Sequence, residues 1–372
     1  MQSTRTLADK IHSLNDPQEN PAQHRFYQLG PGSKLSEFAV LEDALSAFRK
    51  GSKIWLDFSN PSKDLLLKLV EPLGLHPLAI EDCLDDEQIP KAEDFPSNIF
   101  ILFNRYIYSG TALSILEVDF FLGKQFLVTV NLRNNGGRYF AKLEESVRQD
   151  PTNVQRGPDF LLHVILDHIV DEKFSAIESL QQELDRLEDQ VLQSPTDFNP
   201  ALLVDLRRNL LTLRKSLFHE REILVKICRR DSPFISEKAI YHFRDIYDHL
   251  AKSFELTESF REIIASLMEM YLSLLNNQMT LVANRTNQIV RRLTMITTIF
   301  MPLTLLAGIG GMSEWSMITG PGNWKTAYPL FFLGMLLLGV LSYYLLKAIE
   351  RREETRIGSG HSSKITGPKD SE

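Results

Sequence analysis

The run Leu293–Ser313, LTMITTIFMPLTLLAGIGGMS, carries no charge, yet small polar and sulfur-bearing side chains recur along it at helical spacing. Asn287 and Val290 precede it, and Leu293 (or Thr294), Thr297, Met301, Thr304, Gly308 and Gly311 follow at intervals of three or four residues, so all share one face of a helix. A face that alternates hydroxyl, thioether and apolar groups suits the lining of a narrow, partly hydrophobic conduit. The same Thr and Gly residues also serve plain helix packing in membrane bundles, and spacing alone does not decide between the two. Elsewhere, acids are paired in LAIED, with Glu81 and Asp82, and in RDIYD, with Asp245 and Asp248. Taken by themselves these are solvated helix faces, as is the acidic stretch DEKFSAIESLQQELDRLED. His163 and His168 lie five apart on one helix, a poor ligand spacing, and read as structural. Gly308–Gly311 (GIGG) sits inside an apolar span with no strand or Lys beside it and is no phosphate loop. No Ser/His/Asp or Cys/His grouping suggests catalysis, so an enzyme is not expected.

What must position these residues is a pair of apolar helices at the C-terminal end. Leu293–Met312 and Tyr328–Leu346 each give about 30 Å of uncharged helix, enough to cross a bilayer's hydrocarbon. Two helices cannot enclose an aqueous path, so any pore must be built by several copies. Arg285, Arg291 and Arg292 precede the first span, Lys347, Arg351 and Arg352 follow the second, and only Lys325 lies between them. That asymmetry predicts cytoplasmic termini and an external loop over residues 313–327. Pro302 inside the first span removes a helix donor and predicts a kink.

Overall composition is that of an ordinary globular chain: 372 residues, 43% hydrophobic and 24% charged. The net charge of −7 and the lack of a basic stripe argue against nucleic-acid binding and suit a protein that gathers cations. Two cysteines, Cys83 and Cys228, are too few for a disulfide framework and fit a reducing cytosol. MQSTRTLADK has no basic-then-apolar signal pattern, so the hydrophilic part is expected to stay where it is made.

Along the chain, residues 1–34 read as a flexible leader broken by Pro17, Pro21 and Pro31. Residues 35–151 read as a cytoplasmic α/β domain. Its strand candidates are KIWLDFS (53–59), NIFILFNRYIY (98–108), ILEVDFFLG (115–123) and QFLVTVN (125–131), and Gly123–Lys124 marks a tight hairpin between the last two. DLLLKLVEPLG (64–74) reads as one helix. Residues 152–235 then form an antiparallel pair of long helices split by SPTDFNP, 236–292 a stalk helix continuous with the first span, and 347–372 a cytoplasmic tail that is disordered over its Gly- and Ser-containing end. The expected fold is therefore an α+β cytoplasmic domain (an α/β/α sandwich), then long helices and a two-helix transmembrane hairpin.

Four stretches in order, GLHPLAIEDCL (74–84) with QIPKAEDF (88–95), YHFRDIYDHL (241–250), NRTNQIVRRLTMITTIFMPLTLLAGIGGM (284–312) and the terminal hairpin, together resemble the CorA family of divalent-cation channels. The resemblance implies a funnel-shaped homo-oligomer, a pentamer, in the inner or plasma membrane, with divalent cations and the lipid bilayer as its partners. It implies passive Mg²⁺ entry driven by the membrane potential, with Co²⁺ or Ni²⁺ as passengers. It assigns pore-lining positions to Asn287, Val290, Leu293, Thr297, Met301, Thr304 and Gly308, and a regulatory divalent ion held between subunits to Asp82 and Asp245. The selectivity filter falls on Gly311, Met312 and Ser313, where the family has Gly-Met-Asn; serine offers a shorter hydroxyl that donates as well as accepts. Glu314 is the one acid at the external mouth. The substitution at Ser313 keeps two other readings in view, a Zn²⁺ transporter of the same superfamily, proton-coupled, and a membrane-anchored platform that does not conduct selectively.

Overall fold

The computed structural model describes residues 23–30, 35–85, 88–109, 112–132, 140, 144, 147, 156–229, 232–311, 320 and 322–362. The chain divides into two compact units, Met1–Leu272 and Ser273–Glu372.

The first unit is built on a sheet of β1 (Gln23–Leu29), β2 (Ser36–Phe38), β3 (Lys53–Ser59), β4 (Lys91–Asp94), β5 (Ile99–Ser109), β6 (Ala112–Leu122) and β7 (Phe126–Asn131), in the order β2-β1-β3-β7-β6-β5-β4. Among the described residues, only β3 and β7 run parallel, with Ile54 opposite Phe126; every other pairing there is antiparallel. Those two central strands are covered on both faces, which is why KIWLDFS and FLVTVN read as nearly continuous apolar runs. Four short helices cover one face: α1 (Leu41–Arg49), α2 (Lys63–Leu67), α3 (Val70–Leu73) and α4 (Pro77–Asp82). Leu41, Ala44, Leu66 and Ile80 of these helices, with Leu69 between α2 and α3, pack on Leu56, Phe58, Phe100, Phe121 and Val128 of the sheet. The long α5 (Pro158–Gln193) covers the other face, and α6 (Ala201–Cys228) follows it. The α/β/α sandwich is thus present.

Two local expectations need correcting in this unit. The supposed leader contains β1, which pairs with β3 from Gln23–Ser59 to Leu29–Lys53 and lies inside the sheet rather than outside it. Flanking prolines disguise it, but Phe26 points into the core and Tyr27 stacks on Trp55 at 4.9 Å on the opposite face. The remainder of that segment, 1–22 and 31–34, lies outside the described residues. The single helix expected over 64–74 is two, α2 and α3, because Pro72 has no amide to donate to the Lys68 carbonyl. Gly74 ends it at φ 68°, where a Cβ would meet Ser97 Oγ at 2.6 Å.

One buried ion pair fastens the helices to the sheet. Lys173 Nζ of α5 lies 2.5 Å from Glu220 Oε2 of α6, and neither side chain has any exposed surface. The ammonium also sits 3.9 Å from the centre of the Phe103 ring and 5.1 Å from that of Tyr106, both on β5. β4 ends its pairing at Lys91–Leu102, so the Asn104 amide lies beyond its reach; Glu220 Oε1 accepts from it at 3.0 Å. Asn104 Nδ2 donates to Ser216 Oγ at 2.7 Å. Burial pulls the lysine down to about 8, against the pull of Glu220, and burial likewise pushes the Glu220 carboxyl up, against the pull of Lys173.

The second unit contains the end of α7 (Glu237–Gly310), one unbroken helix of 74 residues with Pro302 inside it, and α8 (Trp324–Ser362). Each holds a segment long and apolar enough to cross a membrane, with mean hydropathy 1.8 and 2.0. α8 also corrects an expectation. It continues past Lys347 to Ser362, through AIERREETR, whose Ala, Glu and Arg are strong helix formers, so helix reaches into the Gly- and Ser-containing end expected to be disordered. Residues 363–372 lie outside the described residues.

The buried pair gives a direct test. Glu220→Ala leaves an ammonium buried without its counter-charge and should destabilise the protein by about 3–5 kcal/mol. Replacing both partners, Lys173→Met with Glu220→Leu, should cost far less in a thermal melt of the full chain. Equal losses in the single and double variants would show that the ion pair does not anchor the helices.

Candidate ion pathway and regulatory metal site

The apolar end of α7 has two distinct faces. From Met295 onward its half-buried or buried positions are Met295, Ile299, Pro302, Leu303, Leu306 and Gly310. These face α8: a Cβ on Gly310 would lie 2.8 Å from the Phe331 ring, and one on Gly339 would lie 3.4 Å from Leu303 Cδ1. Glycine at both positions lets the two helices approach closely. Leu293, Thr297, Met301, Thr304, Gly308 and Gly311 are all exposed, Met301 by 68%. At about 100° per residue the two sets are centred about 160° apart. The face singled out from the sequence lies within the part of α7 that the chain's own second apolar helix leaves uncovered, where Ile296, Phe300, Leu305 and Ile309 are exposed as well. Thr297, Met301, Thr304 and Gly308 border one shallow groove there, together with Phe300 and Leu305. Asn287 and Val290 are exposed too, but so are their neighbours, and the structure does not single them out.

The threonines in the apolar end of this helix share one hydrogen-bond pattern. Thr297 Oγ1 donates to the Leu293 carbonyl at 2.9 Å and Thr304 Oγ1 to the Phe300 carbonyl at 2.8 Å. Each hydroxyl proton is thereby committed to the backbone, and the oxygen lone pairs are left to accept. Pro302 deprives the Thr298 carbonyl of its usual helical donor. Gly311 closes the helix through its amide to the Ala307 carbonyl, 3.0 Å. Met312, Ser313 and Glu314 lie outside the described residues.

The acids lie on separate elements of the first unit. α4 starts at Pro77, with His76 Nδ1 accepting from the Leu78 amide at 3.2 Å, and this short helix ends at Asp82. Asp82 Oδ2 lies 2.6 Å from Lys91 Nζ, which also approaches Glu93 Oε1 at 3.1 Å. Asp245 is exposed near the start of α7, which is fixed there by Asp159 Oδ2 accepting from the Ser236 amide at 3.0 Å. Asp245 acts electrostatically on both His163 and Asp167 of α5. Among the described residues, no three His, Cys, Asp or Glu side chains of one chain already converge as an ion's ligands.

Two features here escaped the sequence reading. Lys91 belongs to QIPKAEDF, but nothing in its spacing says that the strand returns it to Asp82. His163, judged only against His168, instead packs against His242 of α7 with ring centroids 4.8 Å apart. Burial first, and then His242, lowers His163 to about 4, with Asp245 opposing.

Residues 50–348 match the family described as CorA-like Mg²⁺ transporter protein. The chain belongs to this family. It is 32% identical over 320 residues to the cobalt/magnesium transport protein CorA of Thermotoga maritima, a match covering 84% of this chain and 88% of that one. It is also 32% identical to the putative metal ion transporter YfjQ of Bacillus subtilis, over 79% and 88% of the two chains. In three dimensions it resembles the complete structure of the CorA magnesium transporter from Methanocaldococcus jannaschii, with a TM-score of 0.64 at 23% identity over 88% of this chain and 97% of that one. The ZntB cytoplasmic domain of Vibrio parahaemolyticus aligns with a TM-score of 0.53 at 9% identity, covering 68% of this chain and 98% of that one, a likeness of fold alone. CorA-like proteins are transporters rather than enzymes, as the absence of a catalytic grouping in the sequence led us to expect.

The two-face arrangement of α7 predicts a cross-linking pattern. In a Cys83→Ser, Cys228→Ser background, Leu303→Cys with Gly339→Cys should form a disulfide within one chain under mild oxidation. Met301→Cys with Gly339→Cys should not. Gel mobility separates the intramolecular product from any dimer, and the reverse pattern would place the wrong face against α8.

Proposed function

We propose that copies of this chain assemble as a homo-oligomer, a pentamer, around the Asn287–Gly311 face of α7 and conduct divalent cations, Mg²⁺ foremost and Co²⁺ or Ni²⁺ as passengers. The observation that carries this reading is the uncovered Thr/Met/Gly face, lying opposite the α8 contact in a chain of the CorA-like family. Residues 293–312 and 328–346 then span an inner or plasma membrane, with 313–327 outside and both termini in the cytoplasm. Mg²⁺ gives up its waters reluctantly, so a pathway for it must greet an intact hydration shell. Those waters point their hydrogens outward, and oxygens such as those of Thr297 and Thr304, with their own protons already engaged, suit them as acceptors. The membrane potential favours inward movement of a divalent ion by about 4.6 kcal/mol per 100 mV, so no separate energy source is needed.

Gating is assigned to a divalent ion bridging Asp82 of one subunit and Asp245 of the next, where it would offset carboxylate repulsion and hold the ring closed. Lys91 gives this site a resting partner: a divalent ion must displace an ammonium already on Asp82. In the full-length oligomer, Mg²⁺ should protect the hydrophilic domain from proteolysis. Asp82→Asn with Asp245→Asn should abolish that protection and keep the channel open at high Mg²⁺. Lys91→Met should instead shift protection to a lower Mg²⁺ concentration, by a few-fold, as expected for loss of a partly exposed ion pair. A double Asn variant that is still protected would remove the site assignment.

Selectivity is assigned to Gly311, Met312 and Ser313, with Glu314 at the mouth. Ser313→Asn should raise the preference for Mg²⁺ over monovalent ions, and Ser313→Ala should change it little. Proteoliposome fluxes of Mg²⁺, Zn²⁺ and Na⁺ under an imposed potential measure both. Unchanged ratios in Ser313→Asn would move selectivity inward to Thr304, Met301 or Asn287. Flux of no divalent ion in the unaltered protein would reject the channel reading.

A further inference from the structure

The seam between α5 and α7 contains a pair of histidines that the proposed Mg²⁺ regulation does not use. His163 of α5 and His242 of α7 are separated by 78 intervening residues in sequence, yet their rings lie 4.8 Å apart and tilted by 54°. Phe160 and Phe243 stand edge-on to them, at 5.5 Å from His242 and 6.0 Å from His163. The Nδ1 atom of His163 is buried in this seam with no hydrogen-bond partner. A buried polar atom without a partner is uncommon and asks for an explanation.

We infer that His163 and His242, with Asp245, form a binding site for a divalent transition-metal ion of borderline softness, Zn²⁺, Co²⁺ or Ni²⁺. Two imidazoles bound to one tetrahedral ion, through nitrogens about 2.0–2.1 Å from it, hold their ring centroids about 5 Å apart. The observed separation of 4.8 Å is close to that spacing. Asp245 lies three residues beyond His242, on the same side of α7, and its exposed side chain is free to turn toward the pair. It already acts electrostatically on His163. The two rings would supply two ligands, and rotation of Asp245 the third. Imidazole nitrogen favours these ions, whereas Mg²⁺ prefers an all-oxygen shell, so the site should discriminate between the two classes. It shares Asp245 with the regulatory site proposed above but does not need Asp82, a neighbouring subunit or ion conduction. A transition metal captured here would withdraw Asp245 from that regulatory site, making the channel responsive to a second class of ion.

The test uses the untagged full-length protein in detergent, with Co²⁺ as a spectroscopic probe and Zn²⁺ in competition with a chromophoric chelator. The unaltered protein should bind one Co²⁺ per chain with the intense visible bands of a low-coordinate nitrogen-ligated ion, and millimolar Mg²⁺ should not displace it. His163→Gln and His242→Gln should each abolish those bands and weaken Zn²⁺ binding at least about tenfold. His163→Phe keeps the aromatic packing against Phe243 but has no nitrogen, and should show the same loss with an unchanged thermal melt. Asp82→Asn should leave Co²⁺ and Zn²⁺ binding intact while removing Mg²⁺ protection, so the failure of either site reads separately. Retention of the Co²⁺ spectrum and Zn²⁺ affinity in His163→Phe, or in both Gln variants, would overturn the inference.

Discussion

The hydrophilic unit depends on a charge pair that water never reaches. Lys173 and Glu220 come from the two long helices, and the groups that complete their shells, Asn104, Phe103 and Tyr106, come from one strand. Removing two charges from water is costly unless geometry and neighbours compensate, so such a pair tolerates only one arrangement of its three elements. Burying leucines would hold helices against a sheet in many registers. The ion pair is more selective, because it ties α5 to α6 and, through the Asn104 amide, to β5. Arg105, which pairs with Glu172 at 2.9 Å one residue from the buried lysine, reinforces the same register from the surface.

Much of this architecture was legible because its signals are periodic. Strands β3, β5, β6 and β7 announce themselves through runs such as KIWLDFS and FLVTVN, and the Gly123–Lys124 turn through its hairpin bond, with the Gly123 amide donating to the Phe126 carbonyl at 2.9 Å. The conduit-like face of α7 was legible for the same reason, since a helix repeats its face every three or four residues. What periodicity could not supply was anything made by folding back. β1 is a strand only because β3 and β2 accept it, and its prolines and polar flanks conceal it. Lys91 reaches Asp82 only because β4 lies along β5, and His163 reaches His242 only because α5 and α7 run side by side. Such contacts are written in tertiary structure, and a single sequence holds no local trace of them.

The apolar helices show how little sequence separates a lining from a packing surface. Met and Gly occur on both faces of α7, and composition does not distinguish Gly308 from Gly310. The structure does: Gly310 lies against Phe331, whereas nothing lies within 4 Å of where a Gly308 side chain would begin. One glycine is small so that a neighbouring helix can come close. The other faces open space, and its role is decided by what assembles around it.

The back-bonded threonines have a consequence of their own. A free hydroxyl is indifferent to polarity, because it can turn its hydrogen or its oxygen toward whatever passes. Thr297 and Thr304 have given up that freedom to the carbonyls of Leu293 and Phe300. On the proposed pathway they present only electron pairs, which the outward hydrogens of a cation's water shell can meet. The shell of chloride turns its oxygens outward instead, and would meet lone pair with lone pair. A helix without a single charge in this stretch thereby acquires a sense of sign, built from nothing more than the direction in which two hydroxyl protons point.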